Sequence, residues 1–121
     1  MQVSETRIPS DPGAPAAARR FVAEVGIVPT DRLADVVLLV SELTANAVKH
    51  GGNPSGTIAV RISRSRGALR VAVENPGPGL VDLTARPRLQ GSGMGLRLVD
   101  RLSSRWGSEG DGTTVVWFEI D

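Results

Sequence analysis

Wound at about 100° per residue, the stretch from Thr30 to His50 puts Leu33, Val36, Val37, Val40, Leu43, Thr44 and Ala47 on one broad face. Asp35, Glu42, Asn46, Lys49 and His50 fall on the other. Leu38 and Leu39 flank this polar stripe, so the helix is apolar almost all round its middle and is expected to be largely buried. Thr30 is its expected N-cap, and Gly51-Gly52-Asn53-Pro54 ends it. Upstream, Ala14 to Val25 carries a modest apolar stripe and reads as a second helix, stopped at Gly26. Gln2 to Ile8 is expected to form a short edge strand, closed by Pro9-Ser10-Asp11-Pro12-Gly13.

Downstream the period changes from helical to alternating. Ile58, Val60 and Ile62 share one face of Thr57 to Arg64, and Leu69, Val71 and Val73 repeat the pattern after Ser65-Arg66-Gly67, which predicts a hairpin with one buried face. The second strand runs into Asn75-Pro76-Gly77-Pro78-Gly79, where prolines lack donors and no strand continues. Val81 to Gln90 is a polar connection without periodicity, expected to act as a lid that carries Arg86 and Arg88. A helix from about Met94 to Ser103 buries Leu96, Val99 and Leu102, with Leu98 on its flank. Two last strands, about Arg105 to Ser108 and Thr113 to Ile120, are joined by Gly110-Asp111-Gly112. This order cannot be wound as repeated βαβ units. The expectation is an α+β fold in two layers, a mixed or antiparallel sheet with helices on one face.

Composition narrows the function classes. The 121 residues make a single domain, 1–121, with 40% hydrophobic and 22% charged residues and no apolar run of membrane-spanning length. The absence of cysteine removes disulfides and thiolate metal sites, and a lone histidine gives no basis for a protein-only zinc site. No signal peptide is evident, so a bacterial-type cytoplasm is the expected location. A net charge of +1, with two Phe, two Trp and no Tyr, does not fit a dedicated nucleic-acid binder. Arg61, Arg64, Arg66 and Arg70 alternate with apolar residues and are expected on a solvated outer sheet face.

Three stretches could carry chemistry. Glu42 and Asn46 stand one helical turn apart on a half-buried stripe, where an unpaired buried polar group costs roughly 1 to 3 kcal/mol, so protein or ligand must supply partners. Gly91-Ser92-Gly93-Met94-Gly95 opens a helix and reads either as a phosphate-binding terminus or as a hinge. It is neither a Rossmann fingerprint nor a Walker A loop. Asn75-x-Gly77-x-Gly79 is by itself compatible with a plain turn.

Taken in order, these stretches, followed by Gly112-Thr113, resemble the histidine-kinase-like (GHKL) ATPases, whose architecture is the Bergerat fold. The short length and brief lid, without phosphotransfer helices, are most similar to the anti-sigma-factor serine/threonine kinases of that superfamily. The resemblance covers about Arg7 to Ile120 and implies ATP and Mg²⁺ as cofactors. It implies Glu42 as the catalytic group that orients or deprotonates the nucleophile and Asn46 as the Mg²⁺ ligand. It further implies Gly77 and Gly79 at the adenine end, Gly91, Gly93, Met94, Gly95 and Leu96 around the phosphates, and Thr113 reaching the base through water. Asn75 stands where the family usually has an aspartate that accepts from the adenine amino group.

The implied activity is phosphorylation of a small anti-sigma antagonist, with a sigma factor as second partner and a homodimer possible through the N-terminal helix or an edge strand. The implied protein contacts neither nucleic acid nor membrane. Asn75 also admits a second reading, a nucleotide-gated or nucleotide-free binding module that transfers no phosphate. A third, purely structural reading is a plain α/β scaffold with glycine turns.

Overall fold

The computed structural model describes residues 2–50, 56–76, 93–110 and 113–121. In chain order the elements are β1 (Gln2–Pro9), α1 (Ala14–Glu24), α2 (Leu33–His50), β2 (Thr57–Ser65), β3 (Ala68–Pro76), α3 (Gly93–Leu102), β4 (Arg105–Gly110) and β5 (Thr113–Ile120). The five strands form one sheet in the order β1-β2-β3-β5-β4, and every neighbouring pair is antiparallel. The helices pack on one another and on the sheet. No helix among the described residues is long and apolar enough to cross a membrane.

Strand alternation decides what meets the helices. Ile58, Val60 and Ile62 of β2, Leu69, Val71 and Val73 of β3, and Val116, Phe118 and Ile120 of β5 are all buried. The registers Val60↔Val73, Ile62↔Val71, Val71↔Phe118 and Val73↔Val116 join them into one continuous face. Against it lie Val36, Leu39, Val40 and Leu43 of α2, Ala14, Ala18 and Val22 of α1, and Leu96 and Val99 of α3. Burying each large aliphatic side chain contributes about 1.5 to 3 kcal/mol, so this shared face is the main source of stability.

Local chemistry sets the boundaries. The β2–β3 hairpin turns on Arg66 and Gly67 at φ 54° and 81°, two successive left-handed residues that match the right-handed twist of the strands. After α1, Gly26 takes a left-handed φ of 77°, which stops the helix at the residue expected from the sequence.

Three expectations need correction. Thr30 does not cap α2 with its side chain. It opens a 3₁₀ turn (Thr30–Arg32) that follows Pro29, the Arg32 N–H donates to the Pro29 oxygen at 2.9 Å, and α2 itself begins at Leu33. The two leucines that flank the polar stripe part company: Leu39 is fully buried and Leu38 is 38% exposed. Of the hairpin arginines, Arg61 and Arg70 lie on the outer face, paired with Glu5 at 2.7 Å and Glu119 at 3.0 Å. Arg64 instead shares the parity of Ile62, sits at the end of the helix-bearing face and donates to the Ile27 oxygen at 3.3 Å.

Candidate functional site

The long helix and the central strand run side by side. At the start of α2, Arg32 donates to the Asp121 main-chain oxygen at 3.1 Å, and the adjacent Ile120 pairs with Leu69 near the start of β3. From Leu33 to Asn46 the helix rises about 20 Å, and from Leu69 to Asn75 the strand advances about 20 Å. Asn46 and Asn75 are therefore carried to the same end of the sandwich. Helix α3 runs the other way: just beyond its C-terminus the Ser104 N–H donates to the Glu119 oxygen at 2.7 Å, close to Asp121. Its first turn, at Gly93, consequently points back to the end that holds the two asparagines.

On α2, Glu42 is half-buried and Asn46 is buried at 7% exposure, one turn apart on one side of the helix. Their neighbour Thr44 is fully buried and satisfied, its hydroxyl donating to the Val40 oxygen at 2.7 Å. The amides differ from it. Nδ2 of Asn46 and both Nδ2 and Oδ1 of Asn75, the latter residue only 1% exposed, have no hydrogen-bond partner among the described residues. Each orphaned buried group costs roughly 1 to 3 kcal/mol, a penalty that a bound ligand would relieve.

The other expected site residues are distributed as follows. Gly77, Gly79 and Gly91, together with the lid from Val81 to Gln90 that includes Arg86 and Arg88, lie outside the described residues, as does Gly112. Gly93, Met94 and Gly95 form the first turn of α3. Leu96 is fully buried in the core, so its side chain anchors that turn to the sheet and faces away from solvent.

Thr113 begins β5 opposite Pro76, and Thr114 stands opposite Asn75. Counting back from Ile120, Phe118 and Val116 puts Thr114 on the helix-bearing face beside Asn75 and puts Thr113 on the outer face. Thr114 was not singled out from the sequence. The alternation of its own strand carried the signal.

The chemistry of the donor set can be tested against Mg²⁺ and a phosphate. No cluster of three His, Cys, Asp or Glu side chains exists among the described residues, so a cage made by protein alone is absent there. Mg²⁺ is commonly held by one or two protein groups plus substrate phosphates. One amide whose ends can exchange by a half-turn, at the same end of the sandwich as the first turn of another helix, fits that pattern.

Comparison with known proteins identifies the family. A profile of the histidine kinase-like ATPase domain matches residues 8–119. The anti-sigma F factor of Geobacillus stearothermophilus is 31% identical, with 78% of this chain and 73% of that protein covered. Among solved structures, the RsbU and RsbW domains of a Mycobacterium tuberculosis protein superpose with a TM-score of 0.71 at 20% identity, covering 99% of this chain and 32% of that one, a likeness of fold. The histidine kinase domain of a blue-light-activated kinase from Erythrobacter litoralis gives a TM-score of 0.59 at 28% identity over 87% of this chain and 56% of that one. With its open antiparallel sheet, one helical layer and profile match over nearly the whole length, the chain belongs to the histidine kinase-like ATPase domain family, a family of ATP-binding domains.

Proposed function

We propose that this protein is a Mg²⁺-ATP-dependent serine/threonine kinase of the anti-sigma-factor type, which phosphorylates a small protein antagonist and binds a sigma factor. The observation that carries the reading is the pair of buried amides, Asn46 and Asn75, with polar atoms that lack partners among the described residues, at the end of the sandwich where α3 begins. The relationship to anti-sigma F factors supports the choice of partners.

In this reading Asn46 holds Mg²⁺ through Oδ1, and the α3 N–H groups at Gly93, Met94 and Gly95 face the phosphates. Bound there, Mg²⁺ supplies charge neutralisation to the phosphate oxygens. Gly77, Gly79 and Gly91 complete the nucleotide pocket, and Thr113 or its neighbour Thr114 lies near the base. Glu42, one turn before Asn46, orients the acceptor serine or threonine hydroxyl and takes its proton as oxygen bonds to the γ-phosphorus and the bond to the β–γ bridging oxygen breaks, which leaves ADP.

The test separates binding from transfer. Purified protein should bind ATP more tightly with Mg²⁺ than without it and should phosphorylate its cognate antagonist. Glu42→Gln should keep ATP affinity within about tenfold while transfer falls by roughly 10² or more. Transfer that survives in the variant would assign the base elsewhere. The parent itself binding ATP without transferring phosphate to any antagonist would favour the binding-module reading, which Asn75 in place of an aspartate supports.

A further inference from the structure

Asn75 differs from every other buried residue on the helix-bearing face of the sheet. Val71 and Val73 before it on β3, and Phe118 and Val116 opposite them on β5, are apolar, and its own cross-strand residue is Thr114. At 1% exposure its side chain is closed off from solvent, and neither end of the amide is engaged by a described residue. Thr114 does not select one orientation, since a hydroxyl both donates and accepts. The structure thus holds one buried donor and one buried acceptor side by side at the end of β3, neither with a partner among the described residues.

A carboxylate at this position could only accept. An amide presents a donor–acceptor pair and can present it either way round after a half-turn of its side chain. The C6–N1 edge of a purine carries the complementary pair in both common forms. Adenine offers the N6 amino hydrogen as donor and N1 as acceptor. Guanine and hypoxanthine offer the N1 hydrogen as donor and O6 as acceptor. We propose that Asn75 reads the base as a donor–acceptor pair, so that the pocket takes 6-oxo purine nucleotides alongside ATP. The proposal rests on the nucleotide reading above and deepens it by widening the substrate class at that site.

The experiment is calorimetric titration of the full chain, in Mg²⁺, with ATP, GTP and inosine triphosphate, the last carrying the 6-oxo edge without the 2-amino group of guanine. Inosine triphosphate should bind the parent within about tenfold of ATP, because the same two hydrogen bonds are available to both. Asn75→Asp should retain ATP and lose inosine triphosphate by a further factor of about ten or more, as a carboxylate oxygen then faces O6. A parent that prefers ATP to inosine triphosphate by more than about tenfold would overturn the proposal and leave the nucleotide reading standing. This parent ratio decides the matter even if the aspartate variant does not fold. A parent that melts cooperatively yet binds none of the three nucleotides would remove the nucleotide reading and the proposal with it.

Discussion

Asn46 is buried on a helix yet leaves Nδ2 without a partner among the described residues, which makes its truncation informative. An amide that served only packing would lose stability when shortened. One that served a cation should lose metal dependence instead. Asn46→Ala is expected to reduce the Mg²⁺-dependent gain in ATP affinity by about tenfold or more, while thermal stability falls little because no described protein partner of Nδ2 is stranded. Titration of nucleotide with and without Mg²⁺, beside a melting curve, checks this. A variant that keeps the whole metal-dependent gain would remove Asn46 from the site. Thr44, two residues earlier, shows the contrasting case of a buried polar side chain that its own helix already satisfies.

At the scale of elements, the outer face of the sheet is held by close packing around Trp117. The Arg70 guanidinium lies 4.2 Å from the ring centre, and Gly107, across the β4–β5 pair, leaves the ring its space. A Cβ at Gly107 would come within 2.9 Å of Trp117 Cζ2, closer than such atoms approach. Gly107→Ala should therefore push the half-buried ring against Arg70 or shift the edge strand β4, at a cost of about 1 to 3 kcal/mol. Urea denaturation measures it, and a Trp117→Leu background should recover much of the loss because the two changes share one contact. Equal destabilisation in both backgrounds would place the strain in the backbone of β4. Residue 107 lies at a strand position where sequence reading gives only a weakened strand, so the steric reason for glycine comes from the cross-strand register.

The molecule as a whole closes its sheet edge with charge. Hydrogen bonding to Arg105, and then to Arg70, holds the Glu119 carboxyl below the ordinary carboxylate range, and Arg105 does the same for Asp121. Reciprocally, the two carboxylates raise the Arg105 guanidinium further. The native protein thus binds fewer protons than the unfolded chain in the acid range. Stability from these groups is present above the ordinary values of 4.5 and 3.8 and is lost as pH falls through the lower folded values. Arg105→Gln should be less stable than the parent at pH about 7, with the gap narrowing below pH about 4 and shrinking in high salt, as expected for partly exposed pairs. Urea midpoints at both pH values test it, and a gap that stays constant would assign the effect to packing.

Read alone, the amino-acid sequence determined element types, the buried parity of β2 and β3, the α+β class, and the single-turn spacing of Glu42 and Asn46, because periodicity reports which residues share a face of their own element. Tertiary structure alone decided what occupies each face. It inserted β5 between β3 and β4, turned Arg64 toward the helices, and set Thr114 beside Asn75. It also brought the end of α2, the end of β3 and the start of α3 to one place. Those outcomes depend on long-range pairing, and the pattern within a segment carries no record of its neighbour or of the direction in which that neighbour runs.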